Sequence, residues 1–177
     1  MPEPLDPMAG QEQPTGLADK LTNLARKIPG YGGYIDREAR RDADKQLRLR
    51  VAGHLGEAIS QLQALSERLS RQMKLDDIGT VDRALNRIRA VQAKVEHADY
   101  GSAGIFSLVK IDAERLGAIY DHDLELLELA DAVVRQSHTV AMAENEGIQA
   151  QADTLEARVK EFENHLVARE HIMTSAE

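Results

Sequence analysis

Val51, Leu55, Ile59, Leu62, Leu65, Leu69 and Met73 recur every three or four positions with no proline among them. That spacing places all seven on one face of a continuous α-helix, predicted over residues 35–74. A helix with such a stripe must lay it against a matching surface, and three more stripes follow. Val81, Leu85, Ile88, Val91 and Val95 predict a helix over 81–98, reached through a turn at 75–80 with Thr80 as its N-cap. Leu116, Ile119, Tyr120, Leu124, Leu127, Ala130, Val133, Val134, Val140 and Ala141 give a wide apolar face over 112–143, opened by Asp112. Ile148, Ala152, Leu155, Val159, Phe162, Leu166 and Met173 keep a heptad rhythm over 148–173, with one polar interruption near Arg169. Short links make consecutive helices antiparallel.

Composition agrees with this pattern. Aromatic residues make up 3% of the chain and tryptophan is absent, so the core must be aliphatic. That palette suits helices and leaves a β-sandwich short of packing residues. The expected architecture is all-α: an elongated antiparallel, coiled-coil-like bundle of four long helices with a short N-terminal amphipathic helix. The expected organisation is a disordered leader at 1–16, an amphipathic segment and Gly-Tyr turn at 17–34, and the bundle domain at 35–174. Within the first long helix, residues 36–50 are charged nearly all round, with Leu47 and Leu49 as exceptions, and are expected to project or pack loosely unless a partner covers them. Gly53 and Gly56 suggest a close helix crossing.

With no cysteine, disulfides, zinc-thiolate sites and thiol nucleophiles are excluded. No apolar run approaches the roughly 20 residues of a membrane span. The expected compartment is the cytoplasm, with the periphery of an inner membrane face as the alternative. The formal net charge is −8, unevenly spread: residues 26–50 hold eight Lys/Arg against four acids, and residues 121–177 hold thirteen acids against four Lys/Arg. The two regions should attract one another within a bundle or between subunits. Arg37, Arg40 and Arg41 lie on a basic face, but interleaved acids offer pairs such as Asp44–Arg48, so nucleic acid is not an expected partner.

Several groups remain as candidate sites. Leu17, Leu21, Leu24 and Ile28, with Lys20, Arg26 and Lys27 elsewhere on the wheel, form a short amphipathic helix for an anionic membrane surface or a flap on the bundle. The turn Pro29-Gly30-Tyr31-Gly32-Gly33-Tyr34 lacks the strand and Gly-Lys-Ser/Thr ending of a phosphate loop. It reads as a hinge with tyrosines capping a bundle end, or as a contact surface. Residues 99–110 break the helical pattern and hold Tyr100, Gly101, Gly104 and Phe106; a hairpin and a short helical piece both stay open there. Asp121, Glu125 and Glu128 lie one turn apart with His122 alongside, and Glu161 precedes His165, so a metal set within the bundle is conceivable. The Glu-x-x-His signature of di-metal bundles is absent, and no cofactor is expected.

The runs IPGYGGYIDREARRDADKQLR (residues 28–48) and HADYGSAGIFSLVKIDAERLGAIYDHDLELL (residues 97–127) together resemble an uncharacterised family of bacterial helical proteins. Its members share an Ile-Pro-Gly-Tyr-x-Gly-Tyr turn and a Tyr-Gly-x-x-Gly-x-Phe element. Their genes often sit near those of membrane-stress or membrane-scaffold proteins. The likeness covers about a third of the chain and departs from the family at the short link of residues 75–80. It implies a shared role for Gly30, Tyr31, Gly33, Tyr34, Tyr100, Gly101, Gly104 and Phe106, and supplies no catalytic residue.

The functional expectation is a non-enzymatic scaffold or adaptor that associates with itself or with another helical protein. The alternatives are a membrane-surface module using residues 17–28, and a metal-dependent bundle enzyme using Asp121, Glu125 and Glu128 with His122 or His165.

Overall fold

The computed structural model describes residues 16–34, 36–97, 112–144 and 147–174, without the side chains of Arg37, Met173 and Thr174. Among the described residues the chain is all-helical. The elements are α1 (Leu17–Lys27), α2 (Arg37–Arg71), α3 (Leu75–His97), α4 (Ala113–Met142) and α5 (Gly147–Thr174). The Tyr100–Phe106 element lies outside the described residues.

The helix starts follow local chemistry. Asp36 accepts from the backbone N–H of Glu38 and Ala39 at 3.0 and 2.9 Å, which starts α2. Asp112 accepts from the N–H of Arg115 at 2.8 Å and starts α4, as its position predicts. At about 1.5 Å per residue, the 35 residues of α2 span roughly 52 Å.

The four long helices form a ring in the order α2–α3–α5–α4, each packed on two neighbours. Consecutive helices within α2–α3 and α4–α5 run antiparallel. Between α4 and α5, Gln136 reaches the carbonyl of Gln151 at 3.0 Å and His165 that of His122 at 3.0 Å, which fixes the register. Arg68 donates to the carbonyl of Ala141 at 2.6 Å from α2 to α4, and Gln92 to that of Ala52 at 3.0 Å from α3 to α2. Between α3 and α5, Glu163 is held by Arg87 at 2.5 Å and Lys94 at 2.9 Å. Burial works against its charge, but the two cations outweigh that and hold its carboxyl below the usual range. Apart from Met73, and from Met173, whose side chain is not among those described, the predicted stripes of all four helices form the core or pack against it.

Four local expectations are corrected. The link between α2 and α3 is shorter than predicted: α3 begins at Leu75, and Thr80 sits inside it, donating to Gln149 at 2.8 Å. Met73 is not a core residue. It is 79% exposed and occupies the left-handed position (φ 59) of a Schellman turn, in which Lys74 N–H reaches Leu69 O and Met73 N–H reaches Ser70 O, both at 3.1 Å. Of the two glycines, Gly56 faces Gln92 closely, whereas the side of Gly53 meets nothing within 4 Å. Finally, the first turns of α2 do not project. Ala43, Asp44 and Leu47 are buried there; Arg169 of α5 and Arg48 of α2 itself compensate Asp44.

Helix α1 lies outside the ring along α4, in parallel. Lys20 pairs with Asp121 at 2.6 Å, and Lys27 with Glu128, two turns on, at 3.3 Å. The basic-to-acidic attraction therefore operates within the chain at these positions. Leu24 and Ile28 are buried, Leu21 is half-buried and Leu17 is 37% exposed. The apolar face offered for a membrane is thus turned inward on the bundle, since covering leucine and isoleucine removes apolar surface from water. No described helix is long and apolar enough to cross a membrane.

Candidate functional site

The turn between α1 and α2 delivers two tyrosines into the bundle. Tyr31 N–H bonds to Ile28 O at 3.1 Å around Pro29 and Gly30, and Gly30 has φ 83, the backbone of a type II turn. Gly33, at φ 78, also lacks room for a side chain: a Cβ there would sit 2.5 Å from Tyr120 Oη and 2.8 Å from Leu21 Cδ1. Tyr31 and Tyr34 are consequently buried and do not form an exposed contact surface. Their rings and that of Tyr120 meet with centroids 5.8–6.4 Å apart.

All three tyrosines surround a buried ionic network. Asp123 is fully buried on α4. Its Oδ2 accepts from the hydroxyls of Tyr31 and Tyr34, both at 2.7 Å, and its Oδ1 accepts from Arg169 Nε at 2.6 Å. Arg169 of α5 also donates Nη2 to Tyr34 Oη at 2.9 Å and pairs Nη1 with Asp44 Oδ1 of α2 at 3.0 Å. Asp44 in turn holds Arg48 at 2.8 Å, and Tyr34 N–H reaches Tyr120 Oη at 3.2 Å. Two carboxylates thus face two guanidiniums, and the formal charges balance.

The electrostatics follow from burial. Burial, then the Asp123 charge, pushes both the Tyr31 and Tyr34 phenols well above their ordinary range, so they stay protonated donors. Burial works against the Arg169 charge, but Asp123, Tyr34 and Asp44 outweigh it and hold the guanidinium protonated. The network joins α2, α4, α5 and the α1–α2 turn, and its chemistry is positional. The sequence signal for it was a polar residue in an apolar register: Asp123 between Tyr120 and Leu127, Arg169 three after Leu166, and Asp44 three before Leu47.

The metal candidates divide. Asp121 and Glu128 are engaged by the lysines of α1, so they do not converge with Glu125 on one ion. Glu125 instead approaches His165 Nδ1 at 3.7 Å, and His165 stacks on His122 with centroids 4.6 Å apart. Of the basic face, Arg40 is half-buried, with Nε 3.5 Å from Tyr34 O; Arg41 is exposed and Arg37 has no described side chain. At the other end of the bundle an open cavity of about 380 Å³ is lined by Arg68, Leu69, Gln72, Lys74, Met142, Ala143, Glu144 and Ile148. Exposed Met142 belongs to its wall, and exposed Met73 and Leu75 belong to the neighbouring α2–α3 link. No protein family, curated protein or solved structure matches this chain.

Proposed function

We propose that the chain is a non-enzymatic helical scaffold that self-associates by exchanging α1 between copies. The observation that carries this reading is the placement of α1: it lies outside the four-helix ring, along α4, tethered by a glycine turn whose far side is anchored. Its 11 residues are too few for a stable isolated helix, so it needs a docking surface. The surface it occupies on α4 would accept the same helix from a second copy equally well, since its lysines and buried aliphatic residues would meet the same partners. The Tyr31–Tyr34 anchor would stay in place during exchange, with Pro29-Gly30 as the hinge. In this reading the Ile-Pro-Gly-Tyr-x-Gly-Tyr string on which the family resemblance rests is the root of an exchangeable flap.

The test uses the absence of native cysteine. A Lys20→Cys, Asp121→Cys variant is joined within one chain by a short bis-maleimide, which locks α1 to its own α4. Sedimentation velocity should show concentration-dependent association in wild-type protein and a monomer after locking. A wild-type monomer at every concentration, or undiminished association after locking, overturns the reading. Association of the unlocked protein only with anionic vesicles would reassign α1 to a membrane surface.

A further inference from the structure

On the α4–α5 seam, His122 and Glu125 stand one turn apart on α4, and the antiparallel register brings His165 of α5 opposite them. One ligand atom from each residue lies within 4.8 Å of the others. His122 Nδ1 and His165 Nε2 are 3.2 Å apart. Two nitrogens bound to a tetrahedral ion at about 2.0–2.1 Å are separated by roughly 3.3–3.4 Å, so the ring atoms already stand near ligand spacing.

A second observation points the same way. His165 Nε2 lies 3.0 Å from the His122 carbonyl oxygen as well as 3.2 Å from His122 Nδ1, while its Nδ1 faces Glu125 Oε2 at 3.7 Å. A neutral imidazole has one N–H. If Nε2 carries it, the Nδ1 lone pair faces a carboxylate; if Nδ1 carries it, the Nε2 lone pair faces a carbonyl. Neither neutral tautomer satisfies every neighbour; a doubly protonated ring would donate to both oxygens, and a cation among these lone pairs is the other arrangement that suits them.

We propose that His122, Glu125 and His165 bind a divalent transition-metal ion of the zinc, cobalt or nickel type. Two imidazoles and one carboxylate suit those ions and disfavour calcium and magnesium. The Glu125 side chain, 62% exposed, leaves the site open to water as a fourth ligand. Loading requires one ring to turn about its Cβ–Cγ bond from the present stack, whose planes are tilted by 27°, until both ring planes contain the ion. The bound ion would staple α4 to α5 one turn from the seat of α1. This site keeps Glu125, His122 and His165 of the candidates that spacing suggested and leaves out Asp121 and Glu128, and it does not depend on α1 exchange.

The experiment titrates chelator-treated, full-length protein with Co²⁺ and follows its visible absorption, with Zn²⁺ competition for affinity. Wild type should bind one ion per chain at micromolar concentration or tighter, giving the intense bands of a tetrahedral site. His122→Ala, His165→Ala should lose at least a hundredfold in affinity. Glu125→Gln, an exposed change that leaves folding intact, should lose about tenfold. A wild type that binds no stoichiometric ion, or binds no better than the double histidine variant and Glu125→Gln, overturns the proposal.

Discussion

Replacing Arg169 by Met removes the guanidinium and keeps an unbranched side chain in the α5 seam. In the native protein that side chain pairs with Asp123 at 2.6 Å and Asp44 at 3.0 Å and donates to Tyr34 Oη at 2.9 Å. Removing one partner of a buried ion pair costs about 3–5 kcal/mol, because the remaining charge stays buried without its counter-ion. Two carboxylates are stranded here, but each keeps some support: Asp44 retains Arg48, and Asp123 retains two phenols. The expected loss therefore stays near that range and is not twice it. For a chain of this size each kcal/mol moves the midpoint by about 2–4 °C, so Tm should fall by roughly 6–20 °C. Urea unfolding followed by circular dichroism at neutral pH gives the free energy directly. Adding Asp44→Asn and Asp123→Asn should recover much of the loss, since a buried ionic group exchanged as a set is often close to neutral. A loss below about 1 kcal/mol for Arg169→Met would falsify the claim that this network is a stringent structural element.

Two other perturbations read different parts of the structure. Met73→Gly relieves a left-handed L-residue worth about 1–2 kcal/mol and gives back part of that through unfolded-chain entropy. It should stabilise by about 0.5–1 kcal/mol in the same urea assay, and a destabilised variant counts against the Schellman assignment at the end of α2. The Tyr31 and Tyr34 phenols, raised by burial and by Asp123, contribute stability that is full below about pH 10, the unfolded value, and is lost above it. In alkaline titration, the tyrosinate absorbance removed by Tyr31→Phe and Tyr34→Phe should develop only together with loss of helical signal. Its appearance while the helices persist contradicts the buried network.

The aliphatic periodicity made the bundle legible. Apart from Met73, the stripes from Val51 to Leu166 point inward because repeats of three and four admit one low-energy burial, a seam facing other helices. The helix start at Asp112 was legible for a local reason, a side chain placed to accept an orphan amide, whereas the same reasoning misplaced a start at Thr80. The site was less so. Asp44, Asp123 and Arg169 are close only after three helices and a turn assemble, and no local spacing encodes that meeting. Their polar identity in an apolar register was visible, and the Arg169 interruption stood out. Residues 36–50 were expected to pack loosely unless a partner covered them, and the partner, Arg169 of α5, was not readable from local spacing. The metal expectation named Asp121, Glu125 and Glu128 with His122 or His165, and spacing along the chain could not show which of them converge. The lysines of α1 claim Asp121 and Glu128, and the partner of Glu125 sits across the seam on α5.

The position of the network explains what it adds to an already aliphatic core. Leucine and valine ridges repeat every helical turn, so a seam slid by one turn, about 5.4 Å, still buries apolar surface. Gln92 is five residues from the end of α3 and already reaches Ala52, so α3 as described ends short of the first turns of α2. Among the described residues, α2 at that end lacks one of its ring neighbours, and the aliphatic packing described there specifies its register least. There Asp44 of α2, Asp123 of α4 and Arg169 of α5 meet, with Tyr31 and Tyr34 closing over them. A one-turn slip of any of the three helices would leave a buried charge unpaired, at about 3–5 kcal/mol, whereas the same slip along an aliphatic seam costs far less. The network therefore sets alignment where packing leaves it loose, and it fixes the root from which α1 departs. A variant with all three charges replaced by aliphatic residues should keep its helical content and stability but lose uniqueness of register. Broadened side-chain methyl resonances would report that loss, and a sharp, fully dispersed spectrum would show that the aliphatic ridges alone were enough.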